Sequence, residues 1–357
     1  MPRLPSRVAV IADSRYPISE PFAGGMQSLT WNLVHGLRRR DVEVTVFAGP
    51  GSDPRLRAQE LAVQPLRLSA AARQDVSMTP LEWMEQHHAY LQLMLQLSRR
   101  RDVDLVHNNS LHHLPVAMAD ALPVPLVTTL HTPPTPWLEP AVGLSVGGTQ
   151  RFVAVSEHTS RSWAHCVAPA ARVIPNGVDT DRWLFGEGGP DLVWTGRIAP
   201  EKAPHLAVAA ARLAGRRIRL AGPVSDPVYW REVLAPMLGP GASYVGHLTQ
   251  VDLSDLLGAS AVCLVTPAWD EPYGLVAAEA LACGTPVLGI ARGGLPEVVS
   301  EDCARLGSSG TAEELADLLP ETEGLDRKAA RSHAEQHCSL DRMLAAYVDL
   351  YDEMQAA

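Results

Sequence analysis

Short β-branched or apolar runs alternate along this chain with longer stretches whose apolar residues recur every three or four positions. The first series reads VAVIAD, a helical stretch from Met26 to Arg39, VEVTVFAGP, VDLVHNN, PLVTTLH and RFVAVS. Strand alternating with helix predicts a parallel sheet covered on both faces, because a parallel crossover needs a helix to return the chain. Leu81 to Arg101 carries Leu81, Trp83, Met84, Leu91, Met94, Leu95 and Leu97 among polar residues and reads as one long amphipathic helix. After RVIPNGVDTDRW and the loop FGEGGPD the pattern restarts with LVWTGRI, a helix from about His205 to Ala214, RIRLAGP, SYVGHL, AVCLVTP and TPVLGIA. Two such series joined near Ile174 to Asp191 predict two doubly wound α/β domains. Leu340, Met343, Leu344, Tyr347, Val348, Leu350 and Tyr351 mark a final helix over Ser339 to Met354.

The 357 residues suffice for two domains of about 150 residues, each with its own core. A formal net charge of -10 argues against a nucleic-acid partner, which needs an excess of basic charge on one face, yet leaves room for a local anion site. Of the 30 basic residues only Lys202 and Lys328 are lysines, so the place of each is informative. The cysteines, Cys166, Cys263, Cys283, Cys303 and Cys338, are scattered without a Cys-x-x-Cys pair, which fits a reducing cytoplasm. In MPRLPSRVAVIAD the apolar core VAVIA is shorter than the ~7 residues of a signal peptide. No run approaches the ~18 apolar residues of a membrane helix, so a cytoplasmic, soluble chain is expected, with peripheral membrane contact left open.

Open parallel sheets bind ligands beyond the carboxyl ends of their strands, so the loops there come first. In AWDEPYGLVAAEALACGTPVLGIARGGLPEVV, Pro272 and Gly274 punctuate a turn and LVAAEALAC begins a helix. The amides of Gly274, Leu275 and Val276 then stand at a positive helix end, where a diphosphate is the natural occupant. Glu271 and Glu279 flank that position, and carboxylates there suit sugar or ribose hydroxyls. Their plain alternatives are a helix cap for Glu271 and a solvated helix position for Glu279. A second anion element, TGRIAPEKAP, places Arg197 and Lys202 in one turn. In the first series PFAGGMQSLTW sets Gly24 and Gly25 at a helix start without a Gly-x-Gly-x-x-Gly fingerprint or a P-loop. His131 follows the strand PLVTTL, where an imidazole can bond a substrate hydroxyl. His87, His88, His112 and His113 read as surface or loop residues. The pairs Asp102/Asp104 and Asp179/Asp181 fall before a strand and in the linker, and read as structural rather than metal-binding.

These pieces together resemble the retaining GT-B glycosyltransferases of family 4: Gly24-Gly25, His131, VSEHTS, IPNGVD at 174 to 179, Gly196-Arg197 with Glu201-Lys202, and the block from Glu271 through EALACGTPV to GGLPE. The resemblance implies two Rossmann-like domains facing one cleft, an acceptor domain over 1–175 and a nucleotide-sugar domain over 176–339, with the final helix, about 340–357, crossing back onto the first. It implies that Arg197 and Lys202 hold the donor diphosphate, with the amides from Gly274 to Val276 and the Gly24-Gly25 loop around it. Glu279 would take the ribose hydroxyls, Glu271 the transferred sugar and His131 the reacting carbon's side, while Gly246 to Leu248 would meet the base. Tyr273 stands where the family often has Phe, and Ala203 where it often has Gly.

The activity so implied is retaining transfer of a sugar from a nucleoside-diphosphate sugar, a UDP-sugar favoured over a GDP-sugar, to a hydroxyl acceptor. No cofactor and no metal is expected, since cations and helix ends neutralise the leaving group. The acceptor, a glycan, lipid or small molecule, falls to first-domain loops, with Tyr16, Asn108 and Trp137 as candidate contacts. Rival readings are an inactive nucleotide-sugar-binding partner and a sugar-nucleotide epimerase or phosphorylase on the same scaffold.

Overall fold

The computed structural model describes residues 7–144 and 150–356. The segment 1–6, which opens the stretch read against a signal peptide, and residue 357 lie outside the described residues. Strands β1 (Arg7–Ile11), β2 (Glu43–Ala48), β3 (Gln59–Glu60), β4 (Leu105–Asn108), β5 (Leu126–Leu130), β6 (Gln150–Ala154) and β7 (Arg172–Val173) form one parallel sheet in the order β3-β2-β1-β4-β5-β6-β7. Strands β8 (Leu192–Thr195), β9 (Ile218–Ala221), β10 (Ala242–Gly246), β11 (Cys263–Val265), β12 (Val287–Ile290) and β13 (Ala304–Gly307) form a second, ordered β10-β9-β8-β11-β12-β13. Each is a doubly wound sheet with its reversal beside the first strand of its series. Central strands are buried on both faces, as β4 and β5 are throughout, because helices cover both sides.

The predicted helices are present with small shifts: Gly25–Arg38, Pro204–Leu213 and Leu340–Ala356. The long helix spans Leu81–Leu97, ending before the arginine run, where Arg100 turns to pair with Asp102 at 2.7 Å. The helix Leu340–Ala356 leaves the second sheet's neighbourhood and adds Leu340, Met343, Leu344, Tyr347, Leu350 and Tyr351 to the core under β1 and β2. A Cβ on Gly36 would overlap the Leu344 side chain, so glycine sets how closely this helix approaches Gly25–Arg38. Polar groups fix its register: buried His107 bonds the Tyr351 hydroxyl through Nδ1 at 2.6 Å and Thr129 Oγ1 through Nε2 at 2.8 Å. Thr129 Oγ1 meets the Tyr347 hydroxyl at 3.0 Å. Burial drives the His107 pKa down to about 3, so the ring is neutral, with one nitrogen to donate and one to accept.

Candidate active site

The reversal points of the two sheets face each other across a cavity of about 460 Å³. Loops after β1 contribute Asp13, Arg15, Tyr16 and the stretch from Phe22 to Gly25, and the loop after β8 contributes Gly196, Arg197 and Lys202. The loop after β11 brings Thr266, Trp269 and Glu271, and the residue directly after β5 is His131. Residues far apart in sequence meet here because reversal opens a crevice at the carboxyl edge of each sheet.

One end of the cavity gathers positive charge. The helices Gly25–Arg38 and Leu275–Ala282 both start on glycine N-caps with no side-chain cap. A Cβ on Gly25 would lie 3.1 Å from Leu275 Cδ2, so the two positive helix ends abut. Gly274 has φ of 108°, a left-handed conformation that a side chain would strain, and a Cβ there would also press on Leu295 Cδ1 at 3.0 Å. Arg197 Cδ lies 3.9 Å from where a Gly24 Cβ would be. Both cations lean on carboxylates: Arg197 on Glu201 at 3.1 Å, and Lys202 Nζ on Glu271 Oε2 at 2.5 Å. Trp269 Nε1 donates to the same Glu271 oxygen at 3.1 Å, and the Lys202 ammonium sits 5.1 Å from the Trp269 ring centre. An ammonium has three N–H donors, so a phosphate can join Glu271 on Lys202 without displacing it.

Glu279 is only 8% exposed and lines the cavity, which removes the solvated-helix alternative. Burial pushes its pKa up to about 8, so its carboxyl is mostly protonated at neutral pH. The cap alternative for Glu271 also fails, since the N-cap of the helix is Gly274 and Glu271 is taken by Lys202 and Trp269. Leu248 lines the cavity but Gly246 does not: it closes β10, where its carbonyl accepts from the Gly222 amide at 2.9 Å. His247, between them, donates from Nε2 to the Phe22 carbonyl at 2.9 Å and so joins the two halves of the cleft.

On the first-domain side, His131 reaches the cavity and its Nε2 lies 2.9 Å from Asn109 Oδ1. Burial holds its pKa near 4. A neutral ring donating to Asn109 presents Nδ1 as an acceptor, so His131 is placed to accept a hydrogen bond from a hydroxyl rather than to donate one. Tyr16 lines the cavity and is 52% exposed. Asn108 does not: it is fully buried, and its Oδ1 accepts from the Ser110 amide at 3.1 Å and hydroxyl at 2.7 Å. The residue past the strand end, Asn109, does not line the cavity either and is equally buried, and it reaches the site only through its bond to His131. Trp137 also lies outside the main cavity, in a side pocket against Trp83, with ring centres 5.4 Å apart. Trp183, in the linker, Trp194, inside β8, and Trp269, in the loop after β11, also line the cavity and are not among the residues that the sequence singles out. Asp102 pairs with Arg100, Asp104 with Arg7 at 2.8 Å, and none of the four paired aspartates lines the cavity.

The cleft is held closed by groups from both sides. Glu297 accepts the amides of Glu157 and His158 at 2.6 and 2.7 Å, capping a first-domain helix from the second domain. Ser156 and Thr159 hydroxyls both donate to the Pro272 carbonyl, at 2.6 and 3.1 Å. Glu20 joins Arg182 at 2.7 Å and the Gln250 amide at 3.2 Å.

Two Rossmann-like units enclosing a cleft with a cationic end have the architecture of the GT-B class of glycosyltransferase. The family model "Glycosyltransferase Family 4" matches residues 23–182, and "Glycosyl transferases group 1" matches residues 179–334. The chain is 30% identical to the D-inositol 3-phosphate glycosyltransferase of Mycobacterium avium, over 96% of this chain and 94% of that one. It is 28% identical to the glycogen synthase of Mycobacterium tuberculosis, over 81% and 80% respectively. The fold superposes on Anabaena HepE, crystallised with UDP and glucose, with a TM-score of 0.75 at 17% identity, covering 97% of this chain and 99% of that one. The chain belongs to the family 4 GT-B glycosyltransferases.

Proposed function

We propose that the protein transfers a sugar from a nucleoside-diphosphate sugar, a UDP-sugar before a GDP-sugar, to a hydroxyl acceptor with retention of anomeric configuration and without a metal at the diphosphate. The observation that carries this reading is the meeting of two uncapped helix ends with Arg197 and Lys202 at one end of a single cavity, faced by Glu279. The diphosphate sits at the helix ends, where charge that develops on the leaving group meets dipoles and cations already in place. Glu279 takes the ribose hydroxyls, and Leu248 with the backbone beside it meets the base. Glu271, oriented by Lys202 and Trp269, holds the sugar. The bond from the anomeric carbon to the diphosphate oxygen breaks as the acceptor oxygen attacks from the same face. The departing β-phosphate oxygen accepts the acceptor's proton, so no separate general base is required. Closure through Glu297 and Ser156 keeps water from competing. The UDP-bound state of HepE supports the choice of uridine.

The test is a thermal-shift comparison of UDP, GDP, ADP and TDP, followed by transfer of labelled sugar from the matching donor and reading of the product's anomeric configuration. A nucleotide at 100 times its Kd adds about 2.7 kcal/mol and raises Tm by several degrees. A flat response to all four, or an inverted product, overturns the reading. Release of nucleotide only when an acceptor is present separates a transferase from a binding partner or an epimerase.

A further inference from the structure

Three histidines converge beside the cleft: His87 on the helix Leu81–Leu97, and His112 and His113 at the start of the short helix His113–Ala117. One ligand-capable atom from each lies within 4.8 Å of the others. His112 and His113 line a pocket walled by Trp83, Tyr90 and Trp137, which meets the main cleft at Asp13, Arg15 and Leu111. Its volume, about 40 Å³, gives room for about three waters at roughly 10–15 Å³ each, too little for a sugar or aromatic ring. An ion with one or two waters is the occupant that fits.

The nitrogen chemistry agrees with the size. His87 Nδ1 is buried with no hydrogen-bond partner among the described residues. His113 makes only ring contacts among them, stacking on His112 at 4.5 Å and on His87 at 5.4 Å. His112 Nδ1 accepts from the Leu114 amide at 3.2 Å, a long bond that a coordinate bond can replace. Imidazoles select zinc, copper, nickel or cobalt over magnesium and calcium. At Zn–N distances of about 2.0–2.1 Å, tetrahedral ligand nitrogens stand about 3.4 Å apart, so side-chain rotations of about 1.5 Å close the set.

We propose that His87, His112 and His113 form a zinc-class transition-metal site, separate from the diphosphate end of the cleft, which fastens the helix Leu81–Leu97 to the loop following β4. That loop carries Leu111 into the cleft and Asn109 to His131, so the ion braces the acceptor side. The open coordination position faces the side pocket and holds water.

The test uses the full chain without an affinity tag, stripped by chelator and titrated calorimetrically with Zn²⁺, then with Co²⁺ while visible absorption is read. One zinc per chain is expected, with the intense d–d bands of a four-coordinate cobalt site. His87→Ala and His113→Ala are each expected to weaken zinc binding at least about 100-fold, and His88→Ala, one residue away on the same helix, by no more than about twofold. Zinc binding weaker than about 0.1 mM, a pale six-coordinate cobalt spectrum, or equal affinity in the variants overturns the site. Should the alanine variants unfold, His87→Gln provides the same comparison, and the wild-type stoichiometry and cobalt spectrum decide by themselves. None of these readings needs a sugar donor, so the site and the proposed transfer stand or fall apart.

Discussion

With the ribose contact proposed for Glu279, donor binding and stability should respond to pH in opposite directions. Burial raises its pKa from 4.5 to about 8, so ionising it in the empty cleft costs about 5 kcal/mol more than in water, less whatever cavity water returns. Between those pH values the folded chain keeps a proton that the unfolded chain has released, so stability falls as pH rises through the window and levels off above about 8. The facing thiols, Cys263 and Cys283, are themselves pushed up by burial and stay neutral throughout. A donor whose ribose hydroxyls bond the carboxylate repays this cost, so its affinity should rise with pH, by about 20-fold between pH 6.5 and 8.5. Calorimetric titration with a UDP-sugar measures this cleanly, because its diphosphate diester does not titrate in that range. Glu279→Gln should bind donor with a pH-independent Kd, and should gain up to about 5 kcal/mol of stability over wild type between pH 5 and pH 9. A flat wild-type Kd across the window, or the same slope in the Gln variant, would refute the account of Glu279 as the ribose ligand.

Three other outcomes follow from the geometry. Lys202→Ala should lower kcat/KM for the donor by about 10²–10³, the usual loss of one preplaced charge donor, with Tm little changed. Ala203, buried in the left-handed region at φ of 44°, should accept glycine with a gain of about 1 kcal/mol, visible as a higher Tm. Tyr351→Phe strands His107 Nδ1 in the core and should cost about 1–3 kcal/mol of first-domain stability in a calorimetric scan, while nucleotide Kd stays the same.

Periodicity revealed both sheets because strands buried on two faces are continuous apolar runs, and their helices carry an unmistakable polar stripe. The meeting of Gly24, Gly274, Arg197 and Lys202 at one end of the cavity was equally legible, because residue type and place after a strand already declare backbone freedom and charge. The acceptor side was not. Asn108 and Asn109 are alike as letters and equally buried, and only the end of the strand tells them apart: Asn108 turns to Ser110, whereas Asn109, one residue past β4, bonds His131. Trp137 lies in the side pocket rather than the main cavity for a related reason, since a loop's path, not its composition, decides which pocket its aromatic enters. Glu279 sits among the wholly buried residues Ala277 to Ala282 of its helix, and only that burial in the fold shows why its charge is suppressed. The histidines 87, 112 and 113 looked incidental because the long helix and the β4 loop meet only in three dimensions.

The helix that completes the first core also sets an order of events during synthesis. Leu340–Ala356 follows the last strand of the first sheet by about 170 residues, all of which build the second domain and its connection. At about 5–20 residues per second, a ribosome needs roughly 10–35 s to supply it after β7 has been made. Throughout that interval the face of β1, β2 and Gly25–Arg38 that receives Leu344, Tyr347 and Tyr351 stands uncovered, so the unit made first is the one finished last. A nascent chain paused within the second domain therefore exposes apolar surface belonging to the first, and a chaperone that engages early would be held until the closing helix emerges.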